Sequence, residues 1–144
     1  AGEAAAFYTS VFKHSEILST SYYGEGAPMP KGTVLTVSFK LEGQNFLALN
    51  GGPMFTFTPA ISLSVSCQTQ EEVDKLWNKL CQGGEEQRCA WLKDKYGISW
   101  QIVPVALTEL MQDKDPVKAR RVMAAMLTMN KINIQALYNA YEGK

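Results

Sequence analysis

The residues of this sequence that could do chemistry are concentrated in one run, Trp91 to Pro104 (WLKDKYGISWQIVP). An acidic and polar turn, Asp94 to Gly97, is followed at once by an alternating segment that places Trp100 and Gln101 on opposite faces, as in a strand. Pro104 is predicted to end this strand because proline has no backbone N–H to donate. We expect the strand to carry the site.

Aromatic side chains are more numerous than a purely aliphatic core needs, and small-molecule sites commonly combine aromatic walls with a few polar groups. Trp91 and Trp100 are expected on adjacent strands, with Gln101 and Asn50 as polar anchors. For these two tryptophans a pocket and the core are equally favoured, because an indole N–H needs a partner in either place. The predicted ligand pocket comprises Phe46, Asn50, Cys89, Trp91, Trp100 and Gln101.

The cysteines and the single histidine form no catalytic or metal-binding pattern. Three cysteines without C-x-x-C spacing predict reduced thiols rather than disulfides. Cys89 precedes Trp91 on a predicted inner strand, but a nucleophilic role would need a neighbouring base or positive field, so an inert buried thiol is favoured. His14 has no second ligand nearby in sequence, which favours a solvated loop. Neither a metal site nor a catalytic residue is assigned.

Composition and motifs exclude several functional classes. The 14 basic and 14 acidic side chains balance, so no long-range field favours nucleic acid or an anionic membrane. Asn50 to Pro53 contains two glycines, but no helix follows them as a phosphate cradle requires, and no G-x-G-x-x-G marks a dinucleotide or methyl-donor fold. No apolar run approaches a membrane span and no signal peptide is visible, so we expect a cytoplasmic protein.

The elements that must position the site form a single predicted α+β domain of two modules and a tail. Module one, residues 1–53, is predicted as a helix at 2–12 and strands at 16–23, 33–41 and 44–50. The strand at 33–41 alternates apolar residues onto one face, and Glu42-Gly43 is predicted to form a tight hairpin turn to the next strand. Module two, residues 60–104, is predicted as a strand at 60–67, a helix opened by the capping box Thr69 to Glu72, an extended stretch at 87–93 and the last strand. The tail, residues 106–142, is helical, and Asp115-Pro116 is predicted as a cap followed by proline at the first helical position. Core packing of the tail is favoured over a groove for a partner.

Three ordered segments resemble a known family: LALNGGP from Leu47, TQEEVDKLW from Thr69, and the run from Trp91 to Pro104. They resemble the PhnB-like branch, often labelled 3-demethylubiquinone 3-methyltransferase, of the vicinal oxygen chelate superfamily. That superfamily includes glyoxalase I, bleomycin and fosfomycin resistance proteins and extradiol dioxygenases. The resemblance extends over nearly the whole chain, including the tail. It implies paired βαβββ modules whose sheets curl around a cavity, and a homodimer. The opening strand of module one is expected to be missing, because residue 1 lies near the first helix.

The resemblance also implies a divalent metal held by His and Glu on the first and last strands of each module. Gln101 occupies the position of the last-strand glutamate. The other matching positions carry neutral or apolar side chains, at Ala48 or Asn50 and at Ser62 or Ser64. Because neutral amides and hydroxyls bind hard cations poorly, no cofactor is expected.

Three functions therefore remain open. The favoured one is metal-independent binding of a small organic molecule. The alternative is a superfamily enzyme, a lyase, dioxygenase or transferase, acting with a divalent metal. A third possibility is an interaction module that combines a vestigial pocket with the methionine-rich tail.

Overall fold

The structure is a computed structural model that describes all 144 residues. It divides into two compact units, Ala1–Thr56 and Phe57–Lys144, with two sheets and five helices. The first unit contains α1 (Gly2–Val11), β1 (Glu16–Tyr22), β2 (Val34–Leu41) and β3 (Gln44–Leu49). The second contains β4 (Ser62–Cys67), α2 (Gln70–Leu80), β5 (Glu85–Glu86), β6 (Trp91–Lys93), β7 (Ser99–Pro104), α3 (Val105–Met111), α4 (Pro116–Leu127) and α5 (Ile134–Glu142). The predicted α+β class is confirmed.

The first unit packs α1 on one face of an antiparallel sheet with the order β1-β2-β3. Alternate residues of β2, including Val37 and Phe39, are buried, as the period-two pattern predicts. The Phe39 ring stacks on Tyr8 of α1 at 6.3 Å and on Phe46 of β3 at 5.6 Å between ring centroids. This aromatic stack forms the centre of the first unit's core.

The turn between β2 and β3 is a two-residue hairpin, as predicted. Glu42 and Gly43 both have positive φ, at 46° and 86°, which is the backbone signature of a type I′ turn. The register then runs without interruption from Leu41 opposite Gln44 to Thr36 opposite Leu49. The turn chemistry therefore determines which side chains of β3 face α1.

The second unit is a complete βαβββ module with the strand order β4-β7-β6-β5. β4 runs parallel to β7, and the other pairs are antiparallel. The Thr69 hydroxyl accepts a hydrogen bond from Glu72 N at 3.2 Å, so the predicted cap opens α2. Val73, Trp77 and Leu80 of α2 are buried, and the fully buried side chains of the sheet include Leu92 and Ile102.

The predicted extended stretch at 87–93 is wrong in its first half. β5 has only two residues, β6 begins at Trp91, and between them Cys89 and Ala90 turn with positive φ of 58° and 73°. The cause is tertiary: Cys89 N donates to Met129 O at 2.8 Å, and Ala90 N donates to Asn130 O at 2.9 Å. The loop before α5 therefore pulls these amides out of the strand conformation, and Cys89 does not lie on an inner strand.

The helical tail belongs to the second unit. Its buried cluster joins Ala90 to residues of α3, α4, α5 and the loop before α5, namely Leu107, Val122, Leu137 and Ile132. Gln70 of α2 also donates to Ile132 O at 3.0 Å and accepts from Ile134 N at 2.8 Å. The longest helix has 12 residues, and none of the helices has the length and apolarity to traverse a lipid bilayer.

Candidate binding face on the second sheet

The strand register brings four of the polar and aromatic side chains of the second unit onto one face. Trp91 of β6 pairs with Gln101 of β7, and Gln101 pairs with Ser64 of β4. The side chains of cross-strand partners point to the same side of a sheet. Ser62 lies two residues before Ser64 on β4, so its side chain points to the same side as well. We call this group, Trp91, Gln101, Ser62 and Ser64, the Trp91 face. Trp91 and Gln101 are half-buried and Ser64 is exposed.

Gln101 is oriented within the Trp91 face by Ser62. The Gln101 side-chain amide donates to the Ser62 hydroxyl at 2.8 Å. A glutamine amide has a second N–H and a carbonyl oxygen, so this bond leaves hydrogen-bonding capacity on the same group. The serine hydroxyls can donate or accept. The arrangement therefore offers uncharged donors and acceptors beside an indole ring.

Lys93 extends the same face toward the edge of the sheet, where it is paired with Glu85. The Lys93 Nζ lies 2.8 Å from Glu85 Oε2, and the hydrogen bond from Lys93 lowers the pKa of the Glu85 carboxyl. Both groups are largely solvated, so the pair contributes little to stability. Its consequence for the site is that the lysine charge is balanced by a carboxylate of the same sheet.

Trp100 lies on the opposite face and belongs to the core. Its side chain is 3% exposed, and its indole N–H donates to Asp94 Oδ2 at 2.8 Å. Asp94 is itself buried, and its Oδ1 accepts from Tyr96 N at 2.9 Å and from Ile98 N at 3.0 Å. Asp94 thus fixes the turn and anchors Trp100. Sequence reasoning placed Asp94 only in a polar turn; its spacing before Gly97 was the signal for this role.

Phe46 and Asn50 lie in the first unit and serve its packing. Phe46 stacks on Phe39, on the face that α1 covers. The Asn50 side-chain amide donates to Val34 O at 2.9 Å, its Oδ1 accepts from the Ala1 amine at 2.5 Å, and its backbone oxygen accepts from the Tyr23 hydroxyl at 2.6 Å. Asn50 therefore closes the end of β3.

Cys67 and Cys81 do not have the character of activated nucleophiles. Burial, with a contribution from Glu72, raises the pKa of the Cys67 thiol to about 11. Burial, with a contribution from Glu86, raises the pKa of Cys81 to about 11 as well. Both thiols stay protonated at neutral pH, where a thiolate would be needed for attack. Cys89 is half-buried in the turn before β6.

The residues of the Trp91 face do not fit a divalent metal. Gln101, Ser62 and Ser64 supply an amide and hydroxyls at the positions where the resemblance implies charged or imidazole ligands. No group of three or more His, Cys, Asp or Glu side chains is arranged to hold a metal ion. His14 is an exposed loop residue with positive φ, and its Nδ1 lies 3.1 Å from Glu42 Oε2.

A protein-family model described as 3-demethylubiquinone-9 3-methyltransferase matches residues 1–103. The chain belongs to this family. A solved structure of a putative 3-demethylubiquinone-9 3-methyltransferase, PhnB protein, from Bacillus cereus is 43% identical to it. That match covers 72% of this chain and 90% of the Bacillus chain, with a TM-score of 0.66. The PhnB-like family and its fold, predicted from three sequence segments, are confirmed.

Protein PA1353 from Pseudomonas aeruginosa supports the fold alone. Its sequence is 19% identical to this chain, and the match covers 71% of this chain and 86% of PA1353. The TM-score is 0.58. A comparison with curated proteins gives no match. The match to the 3-demethylubiquinone-9 3-methyltransferase family ends before α3, so the predicted extension of the resemblance into the tail goes beyond the matched residues.

Proposed function

We propose that this protein binds a small, uncharged, planar organic molecule on the Trp91 face without a metal ion. The observation that carries the proposal is the shared face of Trp91, Gln101 and Ser64, given by the cross-strand register. A half-buried indole offers a stacking surface, and the neighbouring amide and hydroxyls offer hydrogen bonds that orient a ligand.

The chemistry of the Trp91 face favours a neutral ligand. A charged ligand would need a complementary charge, and Lys93 is already paired with Glu85. A neutral aromatic ring with carbonyl or hydroxyl substituents could stack on Trp91 and bond to Gln101 and Ser64. The description of the family names a demethylated ubiquinone, whose head group is a substituted benzoquinone of this kind.

A water-soluble benzoquinone, 2,3-dimethoxy-5-methyl-1,4-benzoquinone, is the probe for a calorimetric titration. We expect saturable binding that Trp91→Ala and Gln101→Leu each weaken about tenfold, the size of one lost stacking contact or one lost hydrogen bond. Trp77→Phe is the matched control, because Trp77 is a buried residue of α2, outside the Trp91 face, and donates its indole N–H to Glu86 at 2.9 Å. Equal affinity in all four proteins, or no binding of the quinone, its hydroquinone or a naphthol, would overturn the proposal.

The description of the family as a methyltransferase favours an enzyme as the second candidate. The resemblance to the vicinal oxygen chelate superfamily implies that such an enzyme would act with a divalent metal. Metal analysis separates the two candidates. The protein is purified without chelator and offered zinc, nickel, manganese and iron in turn. On the binding proposal, no metal remains after gel filtration. One equivalent retained per chain, together with metal-dependent turnover that Gln101→Ala abolishes while the fold survives, would replace the binding proposal with the enzyme.

A further inference from the structure

Trp91, the aromatic side chain of the Trp91 face, directly follows a strained turn. Cys89 and Ala90 have φ of 58° and 73°, in the left-handed region that residues other than glycine rarely occupy. Such a conformation persists only where the surrounding structure holds it. The groups that hold this turn therefore also decide how the chain enters β6 at Trp91.

The turn is held from two sides by backbone hydrogen bonds. On one side is the α4–α5 loop, where Met129 O accepts from Cys89 N at 2.8 Å. The next carbonyl of the loop, Asn130 O, accepts from Ala90 N at 2.9 Å. On the other side is β7, where Ile102 N donates to Ala90 O at 2.9 Å. Ala90, which is 1% exposed, is thus clamped between the last strand and the α4–α5 loop.

The α4–α5 loop is itself fixed to α2. The Gln70 side chain donates to Ile132 O at 3.0 Å and accepts from Ile134 N at 2.8 Å. Lys131 Nζ lies 2.8 Å from Asp74 Oδ1, and Ile132 is fully buried in the cluster of the tail. The loop therefore provides a firm support for the turn rather than a mobile cover.

β6 is too short to fix the position of Trp91 by itself. It has three residues, with three pairs to β7 and two to β5. The preceding turn closes on Trp91, whose N donates to Arg88 O at 3.2 Å and whose O accepts from Gln87 N at 2.9 Å. A shift of one residue would exchange Trp91 with the buried Leu92. The placement of Trp91 beside Gln101 therefore depends on support from outside the sheet.

We propose that the α4–α5 loop positions Trp91 for ligand binding, through the hydrogen bonds that Met129 O and Asn130 O accept from the turn. Met129 and Asn130 act through the turn and not through contact with the ligand, so they are positioning residues. The inference rests on the proposed binding at the Trp91 face. It also couples the two regions: because coupling is reciprocal, a ligand bound at Trp91 must in turn stabilise the contact between turn and loop.

Ile132→Ala removes the buried support of the loop. We expect it to lower the affinity for the benzoquinone about fivefold in the calorimetric titration. Leu80→Ala is the matched control, because it removes the same number of carbon atoms from a fully buried site. Leu80 is the last residue of α2, about 15 Å along the helix from Gln70. Its variant should bind within about twofold of the wild type. Equal losses in the two variants would overturn the proposal, because a purely structural role predicts them.

Fluorine NMR of protein labelled with 5-fluorotryptophan tests the positioning without a ligand. Trp91→Phe and Trp100→Phe assign the two signals. We expect Ile132→Ala to shift the Trp91 signal and to leave the Trp100 signal in place, because Asp94 anchors Trp100. An unchanged Trp91 signal would overturn the proposal. If the wild type binds no benzoquinone, the proposed function fails, and the Trp91 signal still decides whether the loop positions this side chain.

Hydrogen exchange tests the reciprocal effect. Saturating benzoquinone should slow exchange at the amides of Cys89 and Ala90, which donate to the loop. Unchanged exchange at both amides in the quinone-bound protein would contradict the coupling.

A milder pair of variants replaces the alanine variants if Ile132→Ala does not fold. Gln70→Ala removes the two hydrogen bonds that fix the loop to α2, and Gln135→Ala removes an exposed bond on α5. We expect weaker benzoquinone binding and a shifted Trp91 signal in Gln70→Ala alone. The same affinity and the same Trp91 signal in both variants would overturn the proposal.

Discussion

The two units use the same helix-on-sheet packing but support it differently. The first unit relies on stacked rings, with Phe39 between Tyr8 and Phe46. The second unit adds buried polar anchors, with Asp94 accepting three hydrogen bonds and Gln70 linking α2 to the tail. The unit with four strands and four helices is thus also the one in which polar side chains hold loops and helices in place.

This difference determines how strictly each unit specifies the arrangement of its loops. The burial of apolar rings is driven mainly by the area removed from water, which by itself does not specify one arrangement of the chain. A buried carboxyl group such as Asp94 is favourable only when its partners are all in position, so it specifies one arrangement of the turn before β7. The Trp91 face is built on this more strictly specified unit.

The largest expected effect is that of Phe39→Ala, because it leaves a cavity between two rings. We expect a loss of about 3 to 5 kcal/mol in the free energy of unfolding of the first unit. Hydrogen exchange of the β2 amides measures this unit, whereas tryptophan fluorescence measures the second, which contains all three tryptophans. Phe39→Leu is the control, with a loss of about 1 kcal/mol. An equal shift in the fluorescence transition would show that the two units unfold together.

Asp94→Ala should destabilise the second unit by about 3 kcal/mol, because it strands the Trp100 indole N–H and two backbone amides inside the protein. Urea unfolding followed by tryptophan fluorescence measures the loss. Asp94→Asn keeps an oxygen for Tyr96 N and Ile98 N but sets an amide N–H₂ against the indole, so an intermediate loss is expected. A wild-type midpoint for Asp94→Ala would contradict the role of this side chain as the anchor.

Gln70→Ala should loosen the tail rather than the sheet. The variant loses the hydrogen bonds to Ile132 O and Ile134 N. We expect the free energy of unfolding to fall by about 1 to 2 kcal/mol. Proteolysis in the α4–α5 loop should accelerate while exchange of the β7 amides stays slow. Gln135→Ala is the control, because Gln135 makes an exposed bond to Asn139 on α5. Equal acceleration of proteolysis in both variants would show that the stability of the tail does not depend on the hydrogen bonds of Gln70.

The smallest effect concerns pH. The folded-state pKa of Cys67 is about 11, above the ordinary value of 9.0. The protonated thiol is therefore favoured by folding, and this stability is complete below pH 9 and is lost as pH rises toward 11. We expect the urea midpoint, measured at each pH, to fall across that window. Cys67→Ala should show a shallower fall, and parallel pH profiles would contradict the assignment to this thiol.

The local signals in the sequence predicted most of the elements. The apolar alternation of β2, the two-residue turn at Glu42, the Thr69 cap and the Asp115-Pro116 start of α4 each depend on neighbouring residues, and each is found in the structure. The family was also predicted, because its three segments are contiguous in sequence. For the site, period-two alternation placed Gln101 on the face opposite Trp100, as the structure has it.

The remaining assignments depended on contacts distant in sequence. Cys89 leaves the strand conformation because its amide bonds to Met129 O, 40 residues away. Trp100 is in the core because β6 pairs with β7 in a register that puts Leu92, rather than Trp91, opposite it. Phe46 belongs to the packing of the first unit because its ring stacks on Phe39. Asn50 belongs to it because its side-chain amide donates to Val34 O.

By itself the sequence determined the fold class, most of the helices and strands, and the neutral chemistry of the last strand, since backbone propensity, capping and side-chain type are local properties. Only the tertiary structure decided which tryptophan shares a face with Gln101 and where Cys89 leaves the strand conformation. Strand register and strand order are set by long-range pairing, and a shift of one residue would move every side chain of a strand to the other face.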